Sequence, residues 1–189
     1  MLFMKKNNTE LLSVRNVVAI GIGTAIFFVL GRFLPIPTGI PNTTINLGYA
    51  VLSLIAVIFG PLVGGLVALF GHLFIDFSWG DPWWTWIIAD GIFGAILGYS
   101  HRLLKIESEP ISTKKIIQFN VVQILGNIIA WLIIAPIGDI VIYSQPATKV
   151  FLQGVTGTIT NALTIGVVGT ALLIAYSRTR VHRNSLTKE

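Results

Sequence analysis

His72 and Asp76 are a histidine and an aspartate that could form a hydrogen-bonded pair or bind a metal ion. They stand four positions apart in an otherwise apolar run, so on a helix both side chains lie on one face. Such a pair can share a hydrogen bond that anchors a polar solute or the next loop, and it could also contribute to a metal site. Two ligands alone favour the hydrogen-bonded pair, so we predict no metal site.

Four of the five tryptophans follow this pair within eight residues, in the segment Trp79-Gly80-Asp81-Pro82-Trp83-Trp84-Thr85-Trp86. An aromatic belt at a membrane interface explains some of these rings. The Asp-Pro pair is also typical of a helix start, from which Trp83, Trp86 and Asp90 share one face. Asp90 then lies inside an apolar helix and is expected to point into the bundle. A flat heteroaromatic solute could be sandwiched by the rings and hydrogen-bonded by this carboxylate.

Amide and hydroxyl side chains form two further stripes at helical spacing. They consist of Asn120, Gln123, Asn127 and Trp131, and of Gln153, Thr156, Thr160, Asn161 and Thr164. Hydrogen bonds between helices are one explanation of both stripes. The other is that converging amides and hydroxyls recognise a neutral solute. The better ligand candidates are those nearer the outer half: Asn127, Trp131, Gln153 and Asn161.

Known catalytic signatures are absent from the sequence. It contains no phosphate loop of the type G-x-x-x-x-G-K-[ST], and no H-E-x-x-H or G-x-S-x-G motif. It has no cysteine, which excludes disulfides and thiolate metal sites. We therefore predict a binding or translocation subunit, not an enzyme, with no cofactor of its own. A transport protein that binds a solute but has no nucleotide-binding site needs an ion gradient or an ATPase partner to drive transport.

The composition places these residues in a membrane. Of 189 residues, 53% are hydrophobic and only 11% are charged, whereas soluble domains average about 25% charged residues. A soluble enzyme, a secreted disulfide scaffold and a disordered chain are thereby excluded. The first apolar run lacks the features of a cleaved secretory signal, so we expect it to be retained.

Six apolar runs predict an all-α bundle of six transmembrane helices in a single membrane domain, residues 1–189. The runs cover about residues 17–34, 47–59, 62–77, 83–104, 116–137 and 150–176. The second and third runs are short, and Gly60-Pro61 between them could be a helix kink or a tight turn between two crossings.

Charge favours the turn. With six crossings, most of the 13 lysines and arginines fall on one side: Lys5, Lys6, Arg15, Arg102, Lys105, Lys114, Lys115, Arg178, Arg180, Arg183 and Lys188. Five crossings would put the 101–115 loop and the tail on opposite sides. The positive-inside rule therefore predicts that both termini are cytoplasmic. The same clustering indicates topology and not a nucleic-acid partner.

Two segments outside the polar stripes are candidates for movement and assembly. The outer loop 35–46 is rich in proline and almost uncharged, so it is either a connector or a lid that closes over a ligand, with Pro37, Thr38, Gly39, Pro41 and Asn42 as lid residues. Helix one carries two small-residue faces, one with Ala19 and Gly23 and the other with Gly21 and Ala25. Such a face packs internally or docks a partner subunit.

The chain resembles the substrate-specificity (S) components of energy-coupling-factor (ECF) vitamin transporters, and within them a subfamily associated with the thiamine precursor hydroxymethylpyrimidine. The resemblance spans about residues 15 to 177. It is carried by segments 18–23, 28–33, 36–43 and 56–61, and by Gly71-His72, Asp76 and Pro82-Trp83-Trp84.

The resemblance implies a multi-pass protein of the bacterial plasma membrane with a substrate pocket near its outer face. It implies assembly with a transmembrane coupling (T) subunit and two cytoplasmic ATPases, which would hold the ATP and Mg²⁺. The Ala19-x-x-x-Gly23 pattern fits the family's T-subunit contact. Leu2 stands where the metal-specific S components have a histidine, which argues against nickel or cobalt as cargo.

Two other functions remain open at this point. An ion-coupled secondary transporter would use Asp76 or Asp90 as its coupling carboxylate. A metal-dependent membrane enzyme would use His72 and Asp76.

Overall fold

Six helices and one short hairpin make up the structure, a computed structural model that describes residues 13–108 and 110–179. The helices are α1 Val14–Phe33, α2 Gly48–Phe59, α3 Pro61–Trp79, α4 Trp84–Leu104, α5 Thr113–Tyr143 and α6 Ala147–Thr179. Between α1 and α2, β1 (Ile36–Pro37) and β2 (Thr44–Ile45) pair antiparallel, with Ile36 opposite Ile45.

Local sequence explains the helix ends. Ser13 and Ser112 cap α1 and α5, because each hydroxyl accepts a hydrogen bond from the amide three residues further on. Gly60, with φ +91°, separates α2 from α3, and Pro61 occupies the first turn of α3. The Gly-Pro pair is therefore a tight turn between two helices.

α5 and α6 each contain a π-helical segment, Ile128–Ile134 in α5 and Ile165–Gly169 in α6. α5 also runs past the expected end near residue 137. Its last turns contain Asp139, which is 2% exposed and accepts a hydrogen bond from Trp83 inside the bundle.

Within the described ranges, four helices are long and apolar enough to cross a membrane: α1, α3, α5 and α6. α2 has only 12 residues, and α4 has 21 residues but lower hydropathy. Large apolar side chains cover the outside of the bundle, as a lipid-facing surface requires. The cytoplasmic location of the termini stays a prediction. Five of the basic residues on which it rests lie outside the described residues, and so does Leu2.

Aromatic side chains fill the interior of the bundle, and two of its helices cross very closely. Phe27, Phe93 and Phe119 are almost fully buried. α3 and α4 approach so closely at Gly64 and Gly94 that a Cβ on Gly94 would collide with the Gly64 carbonyl oxygen. Only glycines allow this contact.

The small-residue faces of α1 take different roles. Ala19 and Gly23, expected to dock a partner, are buried, and a Cβ on Gly23 would lie 2.8 Å from Val67 and 2.9 Å from Ile55. This corrects the expectation, because α2 and α3 of the chain itself cover that face. Gly21 instead has nothing within 4 Å of its Cβ position.

Candidate functional site

A cavity of about 650 Å³ opens at the end of the bundle where the hairpin, the start of α4 and the α5–α6 connection meet. Arg102, Lys105 and the start of α5 lie at the opposite end. Nine of the ten residues predicted to bind a solute line the cavity: His72, Asp76, Trp79, Trp83, Trp86, Asp90, Trp131, Gln153 and Asn161. The structure thus brings these nine residues, from four helices, together around one cavity.

Deep in the cavity, two carboxylates share one imidazole. His72 Nδ1 lies 2.6 Å from Asp90 Oδ2, and His72 Nε2 lies 3.4 Å from Asp76 Oδ1. An imidazole donates at both nitrogens only when it is protonated. Asp90 Oδ2 also accepts from the Tyr49 hydroxyl at 3.0 Å, and Asp76 Oδ2 accepts from the Trp83 amide at 2.9 Å. The expected pairing of His72 and Asp76 is therefore part of a longer chain that connects α2, α3 and α4.

Asp90 has one oxygen left over. Its side chain is fully buried, and Asp90 Oδ1 has no hydrogen-bond partner in the part of the chain that the structure describes. A buried carboxylate oxygen without a donor is costly. Because Asp90 lines the cavity, a donor group on a bound molecule could satisfy this oxygen.

A second carboxylate fixes the tryptophans. Asp139 Oδ1 accepts from Trp83 Nε1 at 2.8 Å and from the Thr85 hydroxyl, and Asp139 Oδ2 accepts from Trp86 Nε1 at 2.8 Å. Hydrogen bonds to a charged acceptor are stronger than neutral ones. The end of α5 therefore holds the start of α4 and sets the orientation of two cavity-lining indoles.

The aromatic rings do not form the expected sandwich. Trp86 stacks directly on Trp131, with ring centroids 5.6 Å apart and planes 19° apart, so no third ring fits between them. Tyr49 meets Trp131 edge-on at 6.2 Å. A planar molecule in this conformation stacks on a free indole face. Trp131 Nε1 has no acceptor among the described residues and is a second unused polar group.

Residues near the two ends of the outer loop 35–46 line the cavity. Thr38 Oγ1 donates to the Thr43 carbonyl at 2.7 Å, and Gln153 Nε2 of α6 donates to the Pro41 carbonyl at 2.9 Å. Of the expected lid residues, Asn42 lines the cavity, whereas Pro37, Thr38, Gly39 and Pro41 do not. The loop is tied to α6 by the side chain of Gln153.

Asn127 does not reach the cavity. Its Nδ2 donates to the Gln123 carbonyl at 2.9 Å and to Gln123 Oε1 at 3.0 Å, and Gln123 Nε2 donates to the Ala162 carbonyl at 3.3 Å. This part of the stripe on α5 joins α5 to α6. The two explanations of the stripes thus apply to different residues, because Gln153 and Asn161 line the cavity.

Sequence reasoning missed Tyr49, Thr85 and Asp139 as members of the site. A buried tyrosine hydroxyl needs a partner, which is the one signal that could have marked Tyr49 in α2. Within residues 13–108 and 110–179, no group of three or more His, Cys, Asp or Glu side chains is placed to hold a metal ion.

We expect Asp139→Asn to free at least one of the two indoles and to weaken binding of a cavity ligand by about tenfold, since one charge-assisted hydrogen bond contributes about 1.5–3 kcal/mol. The amide is uncharged and keeps only one acceptor oxygen, so the donors on the replaced oxygen lose their partner. Tryptophan emission of the detergent-solubilised protein should shift, and titration should show the weaker binding. Glu107→Gln, which removes an acidic group that pairs with Arg15 away from the cavity, is the control. Unchanged emission and affinity in Asp139→Asn would contradict the assigned role of Asp139.

A family model and several curated proteins are similar to this chain in sequence. Residues 11–178 match the family model "ECF-type riboflavin transporter, S component". The UPF0397 protein of Leuconostoc citreum is 51% identical over 178 residues, 94% of this chain and 95% of that protein. The UPF0397 protein of Enterococcus faecalis is 48% identical over 181 residues, covering 95% of this chain and 99% of that protein.

A solved structure is similar in fold. The crystal structure of FolT bound with folic acid aligns with a TM-score of 0.62 at 16% identity, over 90% of this chain and 96% of that chain. At this identity the likeness shows the fold alone.

Proposed function

The chain belongs to the family of ECF-type riboflavin transporter S components, and from that premise we propose that it captures a small planar heterocycle for an ATP-driven importer. The family identifies the chain as a multi-pass, substrate-binding transporter subunit and not an enzyme. A T subunit and two ATPases, which hold ATP and Mg²⁺, would supply the driving force. The proposed location is the bacterial plasma membrane, and the proposed cargo class includes the thiamine-precursor pyrimidine.

The cavity is the observation that supports this cargo class. Its volume of about 650 Å³ suits a small molecule. Trp83, Trp86 and Trp131 offer ring faces for a flat molecule. Asp90 Oδ1 offers an unused acceptor, and Trp131 Nε1 offers an unused donor. A heterocycle with an amino group beside a ring nitrogen presents the complementary donor and acceptor.

The proposed mechanism assigns cargo binding to this chain and ATP hydrolysis to its partners. The chain binds cargo from outside beneath the 35–46 loop, and the partner ATPases drive reorientation of the bundle so that the cavity faces the cytoplasm. The Gln153–Pro41 hydrogen bond must break or move if the loop opens.

We expect the isolated chain to bind cargo without ATP and to give no sustained uptake. Purified chain should be analysed for co-purifying small molecules by mass spectrometry, and then titrated with hydroxymethylpyrimidine and with riboflavin. Proteoliposomes with the chain alone should stay empty, whereas those with the T subunit and both ATPases should accumulate cargo when ATP is supplied. ATP-independent accumulation by the chain alone would overturn the proposal.

One observation favours a second function, ion-coupled transport. The series of side-chain contacts from Asp76 through His72 to Asp90 could transfer a proton. An ion-coupled transporter would accumulate cargo in the same liposomes under a pH or sodium gradient with no ATPase present. The proteoliposome experiment therefore separates the two functions.

A further inference from the structure

The cavity collects all the aspartates of the chain. The sequence contains four aspartates, Asp76, Asp81, Asp90 and Asp139, and all four line the cavity. Lys149 is the one lysine or arginine among the lining residues of this cavity. The formal charge of the lining is thus −3 with His72 neutral and −2 with His72 protonated, in a chain whose net charge is +5.

The trio of Asp76, His72 and Asp90 and the site around Asp139 each keep a negative formal charge after their internal contacts are counted. Asp76 and Asp90 share a single imidazole, so even a protonated His72 leaves one negative charge on the trio. The donors on Asp139 are two indoles and one hydroxyl, which are all neutral. Lys149 is exposed and its Nζ donates to Gln145 Oε1 at 2.9 Å.

A second cation lies beside the cavity. The Arg32 guanidinium carbon lies 3.9 Å from the centroid of the Trp79 ring, and Arg32 Nε has no hydrogen-bond partner among the described residues. Arg32 is not a lining residue, so its charge is not part of the charge of the cavity lining.

The aromatic ring faces, like the carboxylates, favour binding of a positively charged group in the cavity. Cations bind over the faces of tryptophan and tyrosine because the ring face is negative. Trp86 and Trp131 stack on each other and line the same cavity as Asp90, whose Oδ1 has no donor in the described chain. Carboxylates and ring faces in a partly enclosed cavity attract positive groups and repel negative ones.

We propose that the cavity selects its cargo by charge, taking planar organic cations or amino-substituted heterocycles and excluding carboxylates and phosphate esters. This proposal rests on the proposed function, which it deepens by naming the charge class of the cargo. A transporter with this cavity would admit a free heterocycle and reject its phosphorylated form.

Three probes of one shape test the proposal: benzamidine, benzamide and benzoate carry charges of about +1, 0 and −1 on the same ring. Titration of the purified full chain, followed by tryptophan fluorescence, should give benzamidine at least about tenfold tighter affinity than benzamide. Benzoate should bind more weakly than benzamide. Added salt should reduce the advantage of benzamidine. Benzoate binding as tightly as benzamidine, or no binding by any probe, would overturn the proposal.

Variants locate the effect. Asp90→Asn and Asp81→Asn should each reduce the ratio of benzamidine to benzamide affinity, and Asp81 is exposed, so its change tests the cavity charge with little risk to the fold. The matched control is Glu107→Gln, which removes an acidic group that pairs with Arg15 at 2.6 Å, at the opposite end of the bundle. Glu107→Gln should leave the ratio unchanged, and an equal reduction in all three variants would contradict a local effect.

The probe ranking and the transport assay can fail separately. If the ranking holds while the complete complex shows no ATP-dependent uptake, the proposed function is wrong and the charge selection stands. If uptake occurs but the ranking is reversed, the function stands and the charge selection is wrong.

Discussion

Asp90→Asn should weaken cargo binding by about 100-fold, since a hydrogen bond to a charged group contributes about 1.5–3 kcal/mol and each 1.4 kcal/mol is about tenfold. Asp90 Oδ2 is hydrogen-bonded to the imidazole of His72 and accepts from the hydroxyl of Tyr49. Asp90 Oδ1 is the unused acceptor of the cavity. The asparagine removes the charge and can accept at only one atom. Calorimetric titration with the molecule that co-purifies with the unaltered chain measures the loss.

Tyr49→Phe is the matched control for Asp90. It deletes one hydrogen bond to the same carboxylate and keeps the charge and the packing of the ring against Phe27 and Trp131. We expect a loss of about tenfold or less in Tyr49→Phe. Size-exclusion profiles and thermal unfolding of both variants show whether each still folds. Equal losses in the two variants would contradict a direct role of the Asp90 carboxylate in binding.

Gly94→Val should destabilise the fold by about 3 kcal/mol or more, because a new side chain has no room at the α3–α4 crossing. A Cβ at Gly94 collides with the Gly64 carbonyl oxygen and lies 2.8 Å from the Cβ of Ala68. Backbone on the facing helix cannot move aside as a flexible side chain can. Such a change corresponds to a Tm lower by about 6–12 °C in a chain of this length, measured by the thermal unfolding of the purified protein.

The control for this substitution is Gly21→Val, which introduces the same branched side chain into a helix where nothing lies within 4 Å of the Cβ position. Its Tm should change by less than about 2 °C, since surface substitutions away from close contacts are nearly neutral. A Gly94→Val protein as stable as Gly21→Val would show that α3 and α4 do not need this close approach.

Much of the site could be predicted because polar groups in a membrane have few places to go. Asp90 and the His72–Asp76 pair stand inside long apolar runs, and a lipid-facing orientation would leave them unsatisfied. Their inward positions therefore followed from local spacing alone. Asp139 stands near the end of its run, where water and bundle interior are equally plausible, and only contacts with α4 decide between them.

Contacts between distant segments account for the remaining differences. Two small-residue faces on α1 look equivalent in sequence, and Val67 and Ile55 on neighbouring helices determine which one is buried. Likewise Trp86 and Trp131 belong to different helices, so their stacking depends on how α4 crosses α5. Periodicity assigns a residue to a face of its own helix and carries no information about the partner of that face.

Because the aspartates are concentrated in one cavity, the proposed reorientation of the bundle would move charge across the membrane. A bundle that turns its cavity from outside to inside carries the net charge of the lining through the membrane potential, at about 2.3 kcal/mol per elementary charge per 100 mV. With a negative cell interior this work opposes inward movement of the empty cavity. A positively charged cargo offsets part of that work, so membrane voltage would favour the loaded inward turn over the empty one.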